Sequence, residues 1–508
     1  MIDVLFVNPS NAINIYQGLS NKISAIEPPT WSLLLSQSCR SKGFKVDILD
    51  CLAENLDDDE ALSRIKEKKA RLICFVVYGQ NVNAGTTSMS GATRLANFLK
   101  EKKIDIPIAF IGSHVQALPK QTMKNEKSID MVFQNEGVYS LWNLLNLEEI
   151  IIKELYQING IAFRDKDKII FNKPEKVVPQ ERMDVDLPGY AWDLLPYKEK
   201  PFDLYRSPMW HAEYKSDKRT PYAALQTSLG CQFTCDFCMI NLINKSDNDE
   251  IGIATKHNKM RFWSTDFIIK EFDKLIKYGV KTIRIIDEMF LLNRKYYLPL
   301  CKLLSERNKN DDLNMWAYSR IDTVRDKETL KIIRKAGIKF LALGIENANK
   351  NIRLEISKGK FENVDIEEIV EHIHQNDIDV MANYIYGLPG DTRETIEETF
   401  KLSVKLNTVG WNTYPAMALP GTQLYQMAIK NNIKLPKDYE SFSFHSYNTQ
   451  PLPTEKLTAG EILKLRDEKF IEYHSNPKFL QKIKEKYGEA AYQNVMEINK
   501  VKLKRALY

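Results

Sequence analysis

Two stretches of this 508-residue chain alternate short apolar runs with amphipathic segments, and that alternation limits the fold more than any other feature. Residues 4–7, 46–49, 72–77, 106–111 and, more weakly, 131–133 are apolar in sequence, as strands buried on both faces of a parallel sheet are. Helical periodicity fills residues 30–42, 58–69, 89–102 and 139–145. Residues 1–150 therefore predict a five-stranded, doubly wound sheet, which binds ligands at the carboxyl ends of its strands. The alternation resumes over 221–425, with strands at 223–227, 282–286, 314–318, 340–343, 380–385 and 412–417. Helices are expected at 264–278, 296–307, 327–335, 364–375 and 392–406. Six βα units in succession predict a partial parallel barrel of the TIM type, (β/α)6, with its chemistry at the strand carboxyl ends. Residues 151–220 read as a connector, with a small hairpin around 165–168 and a strap of prolines and aromatics containing Trp192 and Trp210. Residues 426–508 read as a helical domain; 458–474 carry an apolar face at Ile462, Leu465, Phe470 and Tyr473. The fold class is α/β.

Three cysteines, Cys231, Cys235 and Cys238, follow the first barrel strand in SLGCQFTCDFCMIN with C-x3-C-x2-C spacing. Three thiolates so close on one loop can hold three corners of an iron–sulfur cube and leave the fourth iron open to a substrate. Structural zinc needs a fourth ligand, and the nearest histidines, His211 and His257, lie at no ligand-like offset. Cys39, Cys51 and Cys74 fall at helix and strand positions suited to packing, and Cys301 is likewise uninvolved.

Polar and small residues mark the expected strand ends. In the first sheet these are Asn8, Gln80, Asn81, Gly112, Ser113, His114, Glu136 and Gly137. In the barrel they are Asp287, Glu288, Ser319, Arg320, Glu346 and Asn383. The polar segment 244–260 reads as an exposed loop, either a lid or an inert insertion.

Composition excludes several classes of partner. A net charge of +5 without a basic stripe interleaved with aromatics argues against nucleic acid. No apolar run reaches the roughly 18 residues that a membrane span needs. The sparse, odd set of 7 cysteines and the opening MIDVLFVNPS, which has no signal-peptide pattern, predict a cytoplasmic protein.

With Phe237 before the third cysteine and the phrases IIDEMF, SRID, GIEN, YGLPGDT and ALPGTQLY, the barrel resembles the radical S-adenosylmethionine (radical SAM) superfamily. Its union with an N-terminal sheet carrying GSHVQALP and NEGV resembles the cobalamin (B12)-binding branch, which includes the class B radical SAM methylases. The resemblance implies a Rossmann-like cobalamin-binding domain over 1–150 and a 4Fe-4S cluster on Cys231, Cys235 and Cys238. It implies S-adenosylmethionine held by Phe237, Asp287, Glu288, Ser319, Arg320, Glu346 and Asn383. Arg320 would pair with the carboxylate, Asp287 or Glu288 would accept from the ammonium, and Glu346 and Ser319 would bond the ribose. Cobalamin would lie against Asn8, Gln80, Asn81, Gly112, Ser113, His114, Glu136 and Gly137. The D-x-H-x-x-G string of histidine-ligated cobalamin domains does not occur, which implies a cobalt without a histidine ligand.

An electron donor such as flavodoxin or ferredoxin would start the chemistry, and a 5′-deoxyadenosyl radical would take hydrogen from an unactivated carbon. The implied function is methylation of such a carbon on a small-molecule or lipid-linked substrate. The alternatives are a cobalamin-dependent radical SAM enzyme that forms rings or rearranges its substrate, and a non-catalytic iron–sulfur protein. A tRNA- or ribosomal-protein-modifying methylthiotransferase would carry further cluster cysteines in its N-terminal domain, and the spacing of Cys39, Cys51 and Cys74 does not fit them.

Overall fold

The structure, a computed structural model, describes residues 2–10, 15–19, 25–79, 82–197, 204–205, 221–240, 259–324, 326–357 and 364–508. Gln80, Asn81, Trp210, His211, His257 and all but the last two residues of the 244–260 loop lie outside the described residues.

The first sheet contains β1 (Val4–Asn8), β2 (Val46–Asp50), β3 (Ile73–Val76), β4 (Ile108–Ile111), β5 (Met131–Phe133), β6 (Ile161–Asp165) and β7 (Lys168–Phe171). Its order is β2-β1-β3-β4-β5-β6-β7, and its first five strands are parallel. β1, β3, β4 and β5 consist almost entirely of buried apolar residues, because helices cover both faces. The chain leaves β1 in one direction and returns at β3 in the other. The crevice between these two strands is the usual ligand site of such a sheet.

The hairpin of the expected connector is β6–β7, and it pairs antiparallel with β5. The first sheet thus has seven strands and runs to Phe171, where the sequence pattern indicated five strands ending near residue 150. Such pairing is non-local and leaves no period in the sequence. The strap follows as expected. Tyr190, Trp192, Tyr197 and Tyr205 are almost fully buried, and the Trp192 indole donates to Glu271 at 3.0 Å.

The second sheet is built from β8 (Tyr222–Leu225), β11 (Thr282–Ile285), β12 (Asn314–Arg320), β13 (Ile338–Glu346), β14 (Asp379–Tyr386) and β15 (Gly410–Pro415). A two-stranded ribbon of β9 (Ser228–Leu229) and β10 (Arg261–Phe262) lies beside it. The six strands are parallel and follow chain order from β8 to β15, as a curled half-barrel requires. Helices return between them at Thr265–Lys277, Arg294–Arg307, Lys327–Lys335, Ile366–Gln375 and Arg393–Leu406, close to the expected spans. Three C-terminal helices, Ala459–His474, Pro477–Tyr487 and Glu489–Lys500, pack beyond β15; Tyr473 stacks on Trp411 with ring centroids 5.4 Å apart. Among the described residues no helix is long and apolar enough to cross a membrane.

The N-terminal domain packs against the half-barrel. One apolar core runs through both sheets. Two buried ion pairs stand in the seam, Glu27–Arg284 and Glu136–Arg261. Arg284 also donates to Tyr318 and lies over the Trp316 and Tyr318 rings, 5.2 and 4.9 Å from their centroids.

Removing one partner of a buried pair strands the other charge. Glu27→Ala is expected to cost about 3–5 kcal/mol in urea unfolding, and the double replacement Glu27→Leu with Arg284→Leu to recover most of it. An effect of Glu27→Ala no larger than that of a surface substitution would show that the pair does not hold the seam.

Candidate active site and cofactor sites

The cysteine loop leaves β9 through Gly230, whose φ is +87°; a Cβ there would stand 2.5 Å from the Lys259 carbonyl oxygen. Glycine alone fits this close turn. Within the loop, the Phe233 amide donates to Cys231 Sγ at 3.5 Å, and the Cys238 amide to the Cys235 carbonyl at 3.1 Å. Asp236 anchors the loop on both sides: its amide donates to the Ile356 carbonyl at 3.1 Å, and its carbonyl accepts from the Leu424 amide at 3.0 Å.

Cys231 is buried, while Cys235 and Cys238 are half-buried. Burial pushes the Cys231 thiol up to about 11, that of Cys235 up to about 12 and that of Cys238 well above its usual value; nearby Arg320 opposes the rise at the first two. Such thiols ionise when a cation binds, and a metal deprotonates its thiol ligands outright. The remaining cysteines, Cys39, Cys51, Cys74 and Cys301, are buried packing residues. Among the described residues no three His, Cys, Asp or Glu side chains are gathered as ligands of a single metal ion. The donor set present, three thiols on one loop beside a guanidinium, suits a cluster with one corner left open.

Of the barrel residues singled out in the sequence, Asp287, Glu288, Ser319, Arg320 and Glu346 stand at the carboxyl ends of β11, β12 and β13, and Asn383 lies within β14. Their partners differ from the simple expectation. The Asp287 carboxylate accepts from the Thr227 amide at 2.6 Å and from the Thr227 and Ser228 hydroxyls at 2.7 and 2.6 Å. It fastens the end of β8, leaving Glu288 as the carboxylate better disposed toward a ligand.

The Arg320 fork holds Asp322 through Nε at 3.0 Å and Nη2 at 2.8 Å, and its guanidinium lies 3.7 Å from the Phe233 ring centroid. Ser319 shares its hydroxyl with Thr323 at 2.6 Å. Asn383 donates to the Leu343 carbonyl at 3.3 Å and accepts from Asn412 at 3.2 Å. Phe237 is half-buried against Ile352, Ile356, Ile385 and Leu388.

Glu346 sits at φ +64°, where the β13–β14 register slips between Gly344 and Glu346. A non-glycine residue in this region is strained, and such strain gathers at functional sites. A Cβ at Gly344 would stand 2.5 Å from Glu346 Oε1, so a larger residue there would have to displace that carboxylate. Burial raises the carboxyls of Glu288 and Glu346 to about 7 and that of Asp287 to about 6, with Arg320 opposing the rise at Glu346.

In the first sheet, Asn8 donates to Asp50 at 2.6 Å, and Tyr205 donates to the same carboxylate at 3.0 Å. Gly112 passes the Val77 carbonyl oxygen so closely that a Cβ would lie 2.3 Å from it. Gly137 has φ +68° and opens the helix Val138–Leu145. Ser113 donates to the Val82 carbonyl at 2.7 Å.

His114 is buried with its edge on Tyr439; its Nδ1 lies 3.2 Å from Thr86 Oγ1, and burial lowers its pKa to about 4. Glu136 is spent on the seam, where it pairs with Arg261 and accepts from the Val178 amide at 3.0 Å. The loop after β3 meets the cysteine loop, where the Met239 amide donates to Asn83. Val82 and Leu118 share an apolar cluster with Phe237 and Met239.

Asn83 was not singled out from the sequence. Its Oδ1 accepts from the Met239 amide at 2.9 Å, and its Nδ2 lies 3.9 Å from Cys238 Sγ. Its one signal is the amide-rich run YGQNVN after β3.

A fold of this kind, with three thiols at the mouth of a half-barrel and a nucleotide-type sheet over them, defines a two-cofactor radical enzyme. The radical SAM superfamily model matches residues 225–403, and the B12 binding domain model matches residues 16–145. The chain thus joins a B12 binding domain to a radical SAM domain. Its cofactors are a 4Fe-4S cluster, S-adenosylmethionine and cobalamin.

An uncharacterized methyltransferase of Pyrococcus horikoshii is 28% identical over 459 residues, covering 90% of this chain and 89% of that protein. The anaerobic magnesium-protoporphyrin IX monomethyl ester cyclase of Cereibacter sphaeroides is 23% identical over 477 residues, covering 91% and 68%. The solved structure of the cobalamin-dependent S-adenosylmethionine radical enzyme OxsB, with aqua-cobalamin bound, shares the fold at a TM-score of 0.65. It is 15% identical and spans 97% of this chain and 72% of that one.

The raised Glu346 carboxyl ties the apoprotein's stability to pH. Between its unfolded value of 4.5 and about 7, the folded chain keeps the proton and the unfolded chain loses it. Stability from this group is therefore full below pH 4.5 and is lost as pH rises through 7, by up to about 3 kcal/mol. Glu346→Gln is expected to flatten the fall in thermal stability between pH 5 and 8. A slope equal to that of the wild type would refute the assignment.

Proposed function

We propose that this enzyme methylates an unactivated carbon of a small-molecule or lipid-linked substrate. One observation carries the reading: the loop after β3 of the first sheet meets the cysteine loop, where Asn83 accepts from the Met239 amide at 2.9 Å and Val82 and Leu118 share an apolar cluster with Phe237 and Met239. A methyl carrier and a radical source then serve one substrate between them, as the need for reacting atoms to approach within roughly 3–3.5 Å demands. The relative named as a methyltransferase over nearly its whole length supports the same reading.

In this proposal Cys231, Cys235 and Cys238 hold the cluster. Glu288, Glu346, Arg320, Ser319, Asn383 and Phe237 surround S-adenosylmethionine, with Asp287 as the support of the β8 end. Asn8, Gly112, Ser113, His114 and Gly137 would line the cobalamin site, with the His114 ring already engaged by Thr86 and Tyr439. When bound, these groups supply a 5′-deoxyadenosyl radical and a transferable methyl group, chemistry that belongs to the cofactors.

The protein's own work is to orient and to exclude water. Glu346 and Glu288, held close to neutral by burial, accept or donate hydrogen bonds without adding full charge to a dry site. A flavodoxin- or ferredoxin-type donor supplies electrons, and the proposed location is the cytoplasm. The cyclase relative favours a second reading, ring formation without methyl transfer.

Two measurements test the proposal. After anaerobic reconstitution the chain should hold about four irons, and the triple Cys→Ala variant should hold none; eight irons, or iron retained by the variant, would contradict the cluster assignment. With the true substrate, S-adenosylhomocysteine and 5′-deoxyadenosine should form in equal amounts, with deuterium from the target carbon appearing in 5′-deoxyadenosine. Release of 5′-deoxyadenosine with no substrate-dependent S-adenosylhomocysteine and no added carbon would favour the ring-forming reading.

A further inference from the structure

Asn83, from the N-terminal domain, reaches the cysteine loop at a sulfur. Asn83 lies in the turn Val82–Ala84 after β3, just before the helix Gly85–Glu101. This turn is fixed from beneath. Ser113, at the end of β4, donates to the Val82 carbonyl at 2.7 Å. Gly85 permits the approach, because a Cβ there would fall 2.0 Å from Ser113 Oγ and 2.8 Å from the Val77 carbonyl oxygen. Val82 is anchored from above by the apolar cluster containing Met239, Phe237 and Leu118.

The orientation of the amide follows from its partners. The Met239 amide is a donor, so the atom 2.9 Å from it is the Asn83 oxygen. The Asn83 nitrogen must then face Cys238 Sγ, at 3.9 Å. An N–H dipole aimed at a cluster thiolate stabilises the more negative, reduced state of the cluster and raises its reduction potential.

We propose that Asn83 is a positioning residue of the cluster: it clamps the Cys238–Met239 segment from the cobalamin-binding domain and sets the cluster's reduction potential through its N–H···S contact with Cys238. The inference rests on the assignment of the cluster to Cys231, Cys235 and Cys238. It explains why the first sheet must be docked before the cluster is properly poised, since the donor comes from the other domain. An asparagine suits the task because it offers one acceptor and one donor in a fixed plane, whereas aspartate offers two acceptors.

The test is a redox titration of the reconstituted full-length protein, followed by electron paramagnetic resonance of the reduced cluster, for the wild type, Asn83→Leu and Asn83→Asp. Asn83→Leu removes both contacts; Asn83→Asp keeps the acceptor for the Met239 amide and replaces the N–H donor by a charge of the wrong sign. Both variants should bind as much iron as the wild type. Both midpoint potentials should shift to more negative values, with Asn83→Asp shifted further.

Full iron with unchanged potentials would overturn the proposal. So would loss of iron from both variants with native circular dichroism, since Asn83 would then govern cluster assembly and not its potential. Failure of the underlying assignment is distinguishable, because the triple Cys→Ala variant would then retain its iron.

Discussion

The structure depends on the docking of a second sheet against the half-barrel. The N-terminal domain packs against the six parallel strands from β8 to β15. One apolar core runs through both sheets, and among the described residues the buried pairs Glu27–Arg284 and Glu136–Arg261 stand between them. Buried ion pairs contribute little net stability, yet breaking one is costly, so they serve best to fix a single docking register. Here the register brings the loop after β3 against the loop carrying Cys231, Cys235 and Cys238.

That docking also governs the chemistry of the site. Once water is excluded, ionisable groups retain or lose protons according to their nearest partners. The three thiols rise, as do the carboxyls of Glu288, Glu346 and Asp287, all chiefly through burial. Arg320 is the positive group that offsets the rise at Cys231, Cys235 and Glu346. The result is a site whose buried thiols and carboxyls resist ionisation until positive charge is supplied.

The sequence was informative wherever period or spacing carried the signal. The parallel strands and most of their helices lie where apolar runs and helical periodicity put them, and C-x3-C-x2-C led directly to the radical SAM family. It was silent on pairings between distant residues. Nothing in INGIAFRDKDKIIFNKP says that its hairpin joins β5. Nothing local shows that Glu136 turns to Arg261 or that Asp287 is taken up by Thr227 and Ser228. Asn83 was passed over although Asn81 was chosen, because one asparagine in a turn resembles another until the opposing loop is in place. Residue type and strand-end position select candidates; tertiary partners decide which of them remain available to a ligand.

The most direct test of the account is magnetic. In the anaerobically reconstituted protein carrying both cob(II)alamin and the reduced cluster, the two spins should interact, giving a broadened or split cob(II)alamin spectrum with accelerated relaxation. The interaction should vanish in the triple Cys→Ala variant. A cob(II)alamin spectrum identical with and without the reduced cluster would contradict the placement of the two cofactors across one seam.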